Sequence, residues 1–198
     1  MNYLAHIYLS EDNEEIEVGN FIADAIKGKT YLHFSKEIQV GILLHRQIDS
    51  FTDSNAIVKQ SKRRLNSQYG HYKGVIIDIF YDHFLAKNWS DYKDIPLLGF
   101  SEDFYKTLQS HFDILPRRIQ NIMPYMVEYD WLTSYATLEG IEKVLKGMSK
   151  RIGEQSQMHL AINDLKNNYP EFENDFTDFF EKLRAFSRQK LIEITNEI

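Results

Sequence analysis

A chain of 198 residues, 43% of them hydrophobic and 26% charged, is long enough to bury a substantial core in one globular domain. The net charge of −6 argues against general nucleic-acid binding, and the absence of cysteine excludes disulfides, thiolate zinc sites and a cysteine nucleophile. We therefore expect a single domain over residues 1–198, in a reducing compartment that we take to be the cytoplasm.

The N-terminal segment predicts neither export nor a membrane anchor. The first ten residues contain no basic stretch, and His6 interrupts their apolar run. No segment approaches the ~18 consecutive apolar residues of a membrane helix. The sequence gives no indication of oligomeric state.

The apolar spacing is mostly helical. One stripe begins after Ser35, another runs through residues 141–148, and the phenylalanines of residues 172–186 predict a long C-terminal helix. Ser101, ahead of two acids and Phe104, indicates a further helix start. The four prolines are expected at helix boundaries: Pro96, Pro116, Pro124 and Pro170. Because strand-type alternation is scarce, the prediction is an all-α domain.

Two groups of metal-type ligands lie on predicted helices in the first quarter of the chain. His45 and Asp49 are four residues apart and share a helix face, where they could ligate a metal; the alternative is a surface pair. Asp24 follows Gly19 and Asn20, whose short side chains allow a close backbone approach. Taken alone, Asp24 is more often a core carboxylate with its hydrogen bonds satisfied.

A third group, Asp78, Asp82 and His83, gives a stronger signal because its neighbours in residues 75–85 are nearly all apolar. Burying two acids there costs several kcal/mol unless cations or hydrogen bonds compensate. Metal binding is one interpretation, and the other is that Asp82 and His83 cap, or pair with a neighbouring Arg in the core. His6 has the same alternatives, a ligand or a buried, hydrogen-bonded imidazole.

Two sets of basic residues interrupt the acidic average. Residues 54–77 contain no Asp or Glu, and their cations include Lys59, Lys62, Arg63 and Arg64. The second set, near helical spacing, is Lys143, Lys146, Lys150 and Arg151. Both sets suit an acidic partner or phosphates, while the alternative is two solvated helix faces.

Several of these segments together resemble the bacterial acyl carrier protein phosphodiesterase family. The likeness is carried by residues 1–6, 19–24, 41–53, 78–89 and 144–151, and it continues into the C-terminal helix. It implies a helical bundle resembling the HD-domain metal phosphohydrolases, although the adjacent pair here is Asp82-His83, in reverse order. It also implies a divalent metal, usually Mn²⁺, with Mg²⁺, Fe²⁺ or Co²⁺ as alternatives.

The implied reaction is hydrolysis of the phosphodiester between 4′-phosphopantetheine and a serine of holo-acyl carrier protein. On this basis the expected metal ligands are Asp24, His45, Asp49, Asp78, Asp82 and His6. Residues expected to act in catalysis are Asp24, His83, Arg46 and Asn20, with an imidazole protonating the leaving serine and Arg46 or Asn20 holding phosphate oxygens. The acidic carrier protein would dock on Lys59, Lys62, Arg63 and Arg64.

Two alternatives stay open at the level of the sequence. The same fold could carry a phosphohydrolase for a nucleotide or another small phosphodiester, which would need a similar metal and cationic recess. The chain could also be a non-enzymatic helical adaptor for acidic partners, its inward acids forming only structural pairs.

Overall fold

The computed structural model describes residues 2–198 and, except at Glu154, their side chains. Within that range the regular structure is helical and contains no strand, which confirms the predicted all-α class. None of the helices described there has the length and apolarity needed to cross a bilayer. The α-helices are α1 (Tyr3–Tyr8), α2 (Glu14–Ile22), α3 (Lys36–Ser54), α4 (Ala56–Arg64), α5 (Lys73–Lys87), α6 (Leu97–Ser110), α7 (Arg117–Glu128), α8 (Trp131–Ser134), α9 (Leu138–Ile152), α10 (Ala161–Asn167) and α11 (Tyr169–Glu197). Short 3-10 turns lie at Ala23–Ala25, Thr30–His33, Ser67–Tyr72, Trp89–Asp91, Phe112–Ile114, Glu154–Ser156 and Met158–Leu160.

Helices α2 and α3 pack so closely that each needs a glycine at the contact. A methyl group on Gly19 would lie 2.2 Å from the carbonyl oxygen of Ile38, and one on Gly41 would lie 2.2 Å from that of Ile16. No other residue type fits at such distances without separating the helices. The close approach brings the backbone of α2 within hydrogen-bonding distance of side chains on α3.

Helix α5 runs through the core and is buried on nearly all sides, as its apolar sequence predicts. Helix α11 packs along it with a row of phenylalanines. Phenylalanine rings of α11 lie 5.2–5.9 Å, centroid to centroid, from Phe80, Tyr81 and Phe84 of α5. Helix α11 confirms the predicted long C-terminal helix. Each of its buried rings contributes about 2–3 kcal/mol of burial free energy, so this helix is a main support of the core.

Two predicted helix boundaries are wrong. Pro124 lies inside α7, which continues to Glu128. The start predicted at Ser101 lies within α6, because the chain already turns into the helix after Pro96. The other boundaries hold, since Pro116 directly precedes α7 and Pro170 lies in the first turn of α11, where its missing N–H costs no hydrogen bond.

Candidate metal centre and its cavity

Two histidines and an aspartate meet between α1 and α3. His6, His45 and Asp49 place one ligand atom each within 4.8 Å of one another. The two imidazoles stack with ring centroids 3.9 Å apart. Nε2 of His6 lies 3.3 Å from Oδ1 of Asp49, and Nε2 of His45 lies 3.1 Å from Oδ2. Asp24 adds a second carboxylate, with Oδ1 3.3 Å from Nε2 of His45.

Asn20 of α2 fixes the orientation of both rings. Its Nδ2 donates to the carbonyl oxygen of His6 at 2.8 Å and to Oγ of Ser10 at 3.1 Å. The side-chain oxygen of Asn20 is therefore the atom that accepts from Nδ1 of His6, at 2.8 Å. The backbone carbonyl of Asn20 accepts from Nδ1 of His45, also at 2.8 Å. Both Nδ1 atoms carry hydrogen, which leaves Nε2 of each ring as the ligand atom.

The buried Nε2 atom of His6 is positioned as a metal ligand would be. Burial, reinforced by the nearby His45, lowers the pKa of His6 to about 4, so the ring is neutral at pH 7. With hydrogen on Nδ1, Nε2 carries a lone pair, and it faces the Asp49 carboxylate without a hydrogen-bond partner. A positive ion in contact with both atoms would remove the repulsion between these two acceptors. The nitrogen and oxygen donors therefore fit a divalent metal.

His45 carries the positive charge that balances the two carboxylates. Burial lowers the pKa of His45, but hydrogen bonds to Asp24 and Asp49 outweigh this effect and raise it to about 9. The hydrogen bond from His45 in turn holds the pKa of Asp24 below its ordinary value. Burial acts to raise the pKa of Asp49, yet the hydrogen bond from His45 holds it well below the usual range. A metal ion at Nε2 would replace the His45 proton.

The group opens into a cavity of about 970 Å³, a size that suits a small organic ligand. His6, Asn20, Asp24 and His45 form one part of its lining. Much of the remaining wall is apolar or aromatic and comes from α1, α7, α9, α8 and the residue that follows α8: Tyr3, Ile122, Trp131, Tyr135, Val144 and Met148. Three cations also line it: Arg118, Lys143 and Arg151.

Comparison with known proteins identifies the family. The sequence model described as acyl carrier protein phosphodiesterase matches residues 1–183, which is most of the chain. The chain belongs to the acyl carrier protein phosphodiesterase family. Relatives carrying that name include a protein of Yersinia enterocolitica, 31% identical over 193 residues (97% of this chain and 100% of the relative), and one of Pectobacterium atrosepticum, 31% identical over 189 residues (95% and 98%). A third, from Photorhabdus laumondii, is 30% identical over 183 residues (91% of each chain).

These matches confirm the family that the sequence motifs predicted. No solved structure matches the chain, so the likeness to HD-domain phosphohydrolases stays a prediction. Of the six ligands expected from the family resemblance, the structure brings four together: His6, Asp24, His45 and Asp49.

Asp82, the fifth expected ligand, caps helix α1 from within the core. Its fully buried carboxylate accepts the backbone N–H of Leu4 at 2.7 Å and that of Ala5 at 3.2 Å. Burial raises the pKa of Asp82 to about 7, although both hydrogen bonds oppose the shift. This placement matches the capping interpretation, and it anchors the helix that carries His6.

Asp78, the sixth expected ligand, lines the cavity but lies outside the group of three ligand atoms found among the described residues. Burial raises its pKa, and the negative charge of Asp49 acts in the same direction. The carboxylates of Asp78 and Asp49 are therefore close enough to interact electrostatically.

His83, an expected proton donor, lies in a different part of the core. Its Nδ1 donates to the carbonyl oxygen of Tyr135 at 2.7 Å, and its Nε2 lies 2.8 Å from the hydroxyl of Tyr169. Burial lowers the pKa of His83, so the neutral ring accepts from Tyr169. Both nitrogens are thus used in joining α5 to α11 and to the residue that follows α8.

Arg46 and Asn20, expected to hold phosphate oxygens, also have structural partners. Arg46 donates to the carbonyl oxygens of Gly28, at 2.9 Å, and Ile26, at 3.4 Å, and it lies over the ring of Tyr31. It therefore supports the loop that follows Asp24. Asn20 uses its side-chain amide in orienting His6, as described above.

The basic face expected to dock the carrier protein is partly neutralised within the chain. Arg64 pairs with the buried Asp175 at 3.1 Å, and Lys62 pairs with Asp53 at 3.0 Å. Lys59 is exposed, although its Nζ donates to the carbonyl oxygen of Ser54, and Arg63 is exposed with no ion pair in the described part of the chain.

Sequence reasoning missed Tyr3 and Arg118 as cavity residues. Tyr3 precedes His6 by three positions on α1, so helical spacing could have placed it on the same face. Arg118 has no such signal, because only the fold brings α7 beside the ligand group. Arg151 was included in a basic set, but nothing in the sequence indicated that it faces a cavity.

Proposed function

We propose that the chain hydrolyses the phosphodiester linking 4′-phosphopantetheine to a serine of holo-acyl carrier protein, releasing apo-carrier protein and 4′-phosphopantetheine. Family membership and the names of the relatives support this reaction class. Metal dependence is supported by one observation above all, the lone pair of the buried His6 Nε2 facing a carboxylate beside a ligand-sized cavity.

His6, His45 and Asp49 would hold a divalent metal, with Asp24 beside them; Mn²⁺ is the proposed ion, and Mg²⁺, Fe²⁺ and Co²⁺ are alternatives. When bound, such an ion lowers the pKa of a water molecule and polarises the phosphoryl oxygens. Asp24 is suited to take the proton of the attacking water, because its carboxylate is ionised, exposed and part of the cavity lining. Asn20 keeps both Nε2 atoms directed at the site.

In this reaction the water oxygen bonds to phosphorus as the bond from phosphorus to the serine oxygen breaks. The serine oxygen leaves with the proton that Asp24 took from the water, and the phosphate stays on pantetheine. We assign carrier-protein docking to the basic face of α4, chiefly Lys59 and Arg63. This face lies near the cavity, since the charge of Lys62 acts on the pKa of Asp78, which burial raises.

The test is intact-mass spectrometry of holo-acyl carrier protein incubated with the purified chain, in Mn²⁺ and in EDTA. We expect conversion to the mass of apo-carrier protein in Mn²⁺ and none in EDTA. His45→Gln should abolish the conversion. His33→Gln should not, because His33 is exposed and lies outside the cavity.

Failure of the wild-type chain to remove phosphopantetheine, with bound Mn²⁺ demonstrated by metal analysis, would contradict the proposal. Hydrolysis of a small diester such as bis(p-nitrophenyl) phosphate under those conditions would then favour a small-phosphodiester hydrolase.

A further inference from the structure

The cavity that contains the metal-type group has a second, positively charged part. Arg118 from α7 and Arg151 from α9 line it. Among the side chains that the structure describes, neither forms an ion pair with a carboxylate, whereas Arg64, Arg184 and Arg188 each do. Lys143, the third cation of the lining, is paired with Glu139 at 2.8 Å. The two arginines are therefore available to an anionic ligand.

Tyr3 connects this basic part with the metal-type group. It lies one helical turn before His6 on α1, and its ring packs on Phe21 at a centroid distance of 5.0 Å. Burial raises the pKa of Tyr3, the charges of Arg151 and Arg118 lower it, and the charge of Asp24 raises it. The phenol is thus within electrostatic reach of both arginines and of the carboxylate beside His45. All of these groups face one space.

We infer that Arg118 and Arg151 form a phosphate-binding subsite, with the Tyr3 hydroxyl as a further hydrogen-bond donor; this rests on the proposed function. Its ligand is the phosphate of the phosphopantetheine group, first as the diester and then as the dianionic monoester of the product. Each planar guanidinium presents paired N–H donors that match two phosphate oxygens. Apolar walls that include Ile122 and Val144 suit the extended chain of pantetheine.

Carboxylates of an acidic protein partner are the other class of anion that arginines bind. The position of the pair favours phosphate, because Arg118 and Arg151 line the cavity that contains the proposed catalytic group, where the scissile phosphate has to lie.

The test uses isothermal titration calorimetry with two matched ligands, 4′-phosphopantetheine and pantetheine, which lacks the phosphate. EDTA is present throughout, so that no metal contributes to phosphate binding. The wild-type chain should bind 4′-phosphopantetheine at least tenfold more tightly than pantetheine. In the Arg118→Gln/Arg151→Gln double variant this preference should disappear, while affinity for pantetheine stays unchanged.

The matched control is Arg117→Gln/Lys150→Gln, which removes the same charge from neighbouring exposed positions outside the cavity. Its preference for the phosphorylated ligand should equal that of the wild-type chain. Circular dichroism and thermal unfolding establish that both double variants are folded.

An unchanged phosphate preference in the Arg118→Gln/Arg151→Gln variant would overturn the inference, as would a wild-type chain that binds both ligands equally. The inference would also be overturned if, in a parallel titration with apo-carrier protein, the Arg118→Gln/Arg151→Gln variant lost affinity for that protein but kept its phosphate preference. That result would assign the arginines to an acidic partner. A chain that keeps its phosphate preference but leaves holo-carrier protein intact would retain the subsite and lose the proposed reaction, so the two failures are distinguishable.

Discussion

The imidazole of His6 lies stacked on that of His45, with ring centroids 3.9 Å apart and planes inclined by 17°. Both rings direct Nε2 at the same carboxylate, that of Asp49, and hydrogen bonds at Nδ1 keep them there. Two imidazolium ions at this distance would repel each other strongly, so the pair carries a single positive charge, on His45. A metal that binds Nε2 of His45 would therefore displace the proton on that atom.

Mn²⁺ binding should therefore release close to one proton at pH 7. The proton comes from His45, whose pKa is about 9, whereas His6, with a pKa of about 4, is already neutral. Because a protonated ligand competes with the metal, apparent affinity should rise about tenfold per pH unit from pH 6 to 8 and level off above pH 9. Calorimetry in buffers of different ionisation enthalpy counts the protons.

The His6→Gln variant should lose at least about tenfold in Mn²⁺ affinity, and the exposed His33→Gln serves as its control. Binding that is independent of pH and releases no proton would show that the metal does not displace the His45 proton.

Much of the fold follows from local sequence pattern. The phenylalanine spacing of α11 and the apolar run of α5 specify helices whose buried positions can be predicted from the sequence alone. The boundary predicted at Pro124 is wrong, because proline marks helix boundaries only on average and α7 accommodates this one in its interior. Whether a helix ends at a proline or continues past it depends on local contacts, and the apolar periodicity of the sequence does not encode these.

The candidate site was only half predictable. His45 and Asp49 share a helix face, so spacing alone paired them. That His6 joins them, and that Asp82 instead accepts the N–H groups of Leu4 and Ala5, depends on how α1 docks on α5. A buried aspartate in an apolar run indicates only that its charge is compensated. Whether a metal or backbone N–H groups compensate it is decided by tertiary contacts.

Gly41→Ala should destabilise the chain and weaken the metal centre together. The added methyl carbon would lie 2.2 Å from the carbonyl oxygen of Ile16 and 2.7 Å from the backbone nitrogen of Asn20, so α2 and α3 must separate. We expect a loss of about 3 kcal/mol in unfolding free energy, measured by urea denaturation. Mn²⁺ affinity should also fall, because Asn20 would no longer hold the His45 ring.

The control for this change is Gly99→Ala in α6, where the added carbon meets nothing within 4 Å. Helix propensity predicts a gain of up to about 1 kcal/mol there. Equal stability changes in the two variants would show that the α2–α3 contact does not require a glycine.

Asp82→Ala should act on stability and, through α1, on His6. The substitution leaves the buried N–H groups of Leu4 and Ala5 without their acceptor, at a cost of about 3 kcal/mol. Exposed Asp103, whose carboxylate contacts Lys106 on the protein surface, is the matched control and should change stability by less than about 0.5 kcal/mol when replaced by Ala. A stable Asp82→Ala chain with normal Mn²⁺ affinity would show that α1 does not need this cap.

Glu17 should make the chain less stable as the pH rises from about 4.5 to about 7. Its side chain is buried in α2, and burial, with help from the charges of Asp12 and Glu14, raises its pKa from 4.5 to about 7 while Lys93 opposes the shift. Between these values the folded state binds more protons than the unfolded state, so stability falls with rising pH. The total loss, complete above pH 7, is about 3 kcal/mol.

Glu17→Gln removes this titration and keeps the shape of the side chain. Urea denaturation from pH 4 to 8 should give equal unfolding free energies for the variant and the wild-type chain near pH 4, and a more stable variant at pH 8. Glu37→Gln, at an exposed position in the first turn of α3, should follow the wild-type curve throughout. Parallel curves for Glu17→Gln and the wild-type chain would mean that Glu17 stays hydrated or ion-paired in the folded state, because only a buried, unpaired carboxylate produces the divergence.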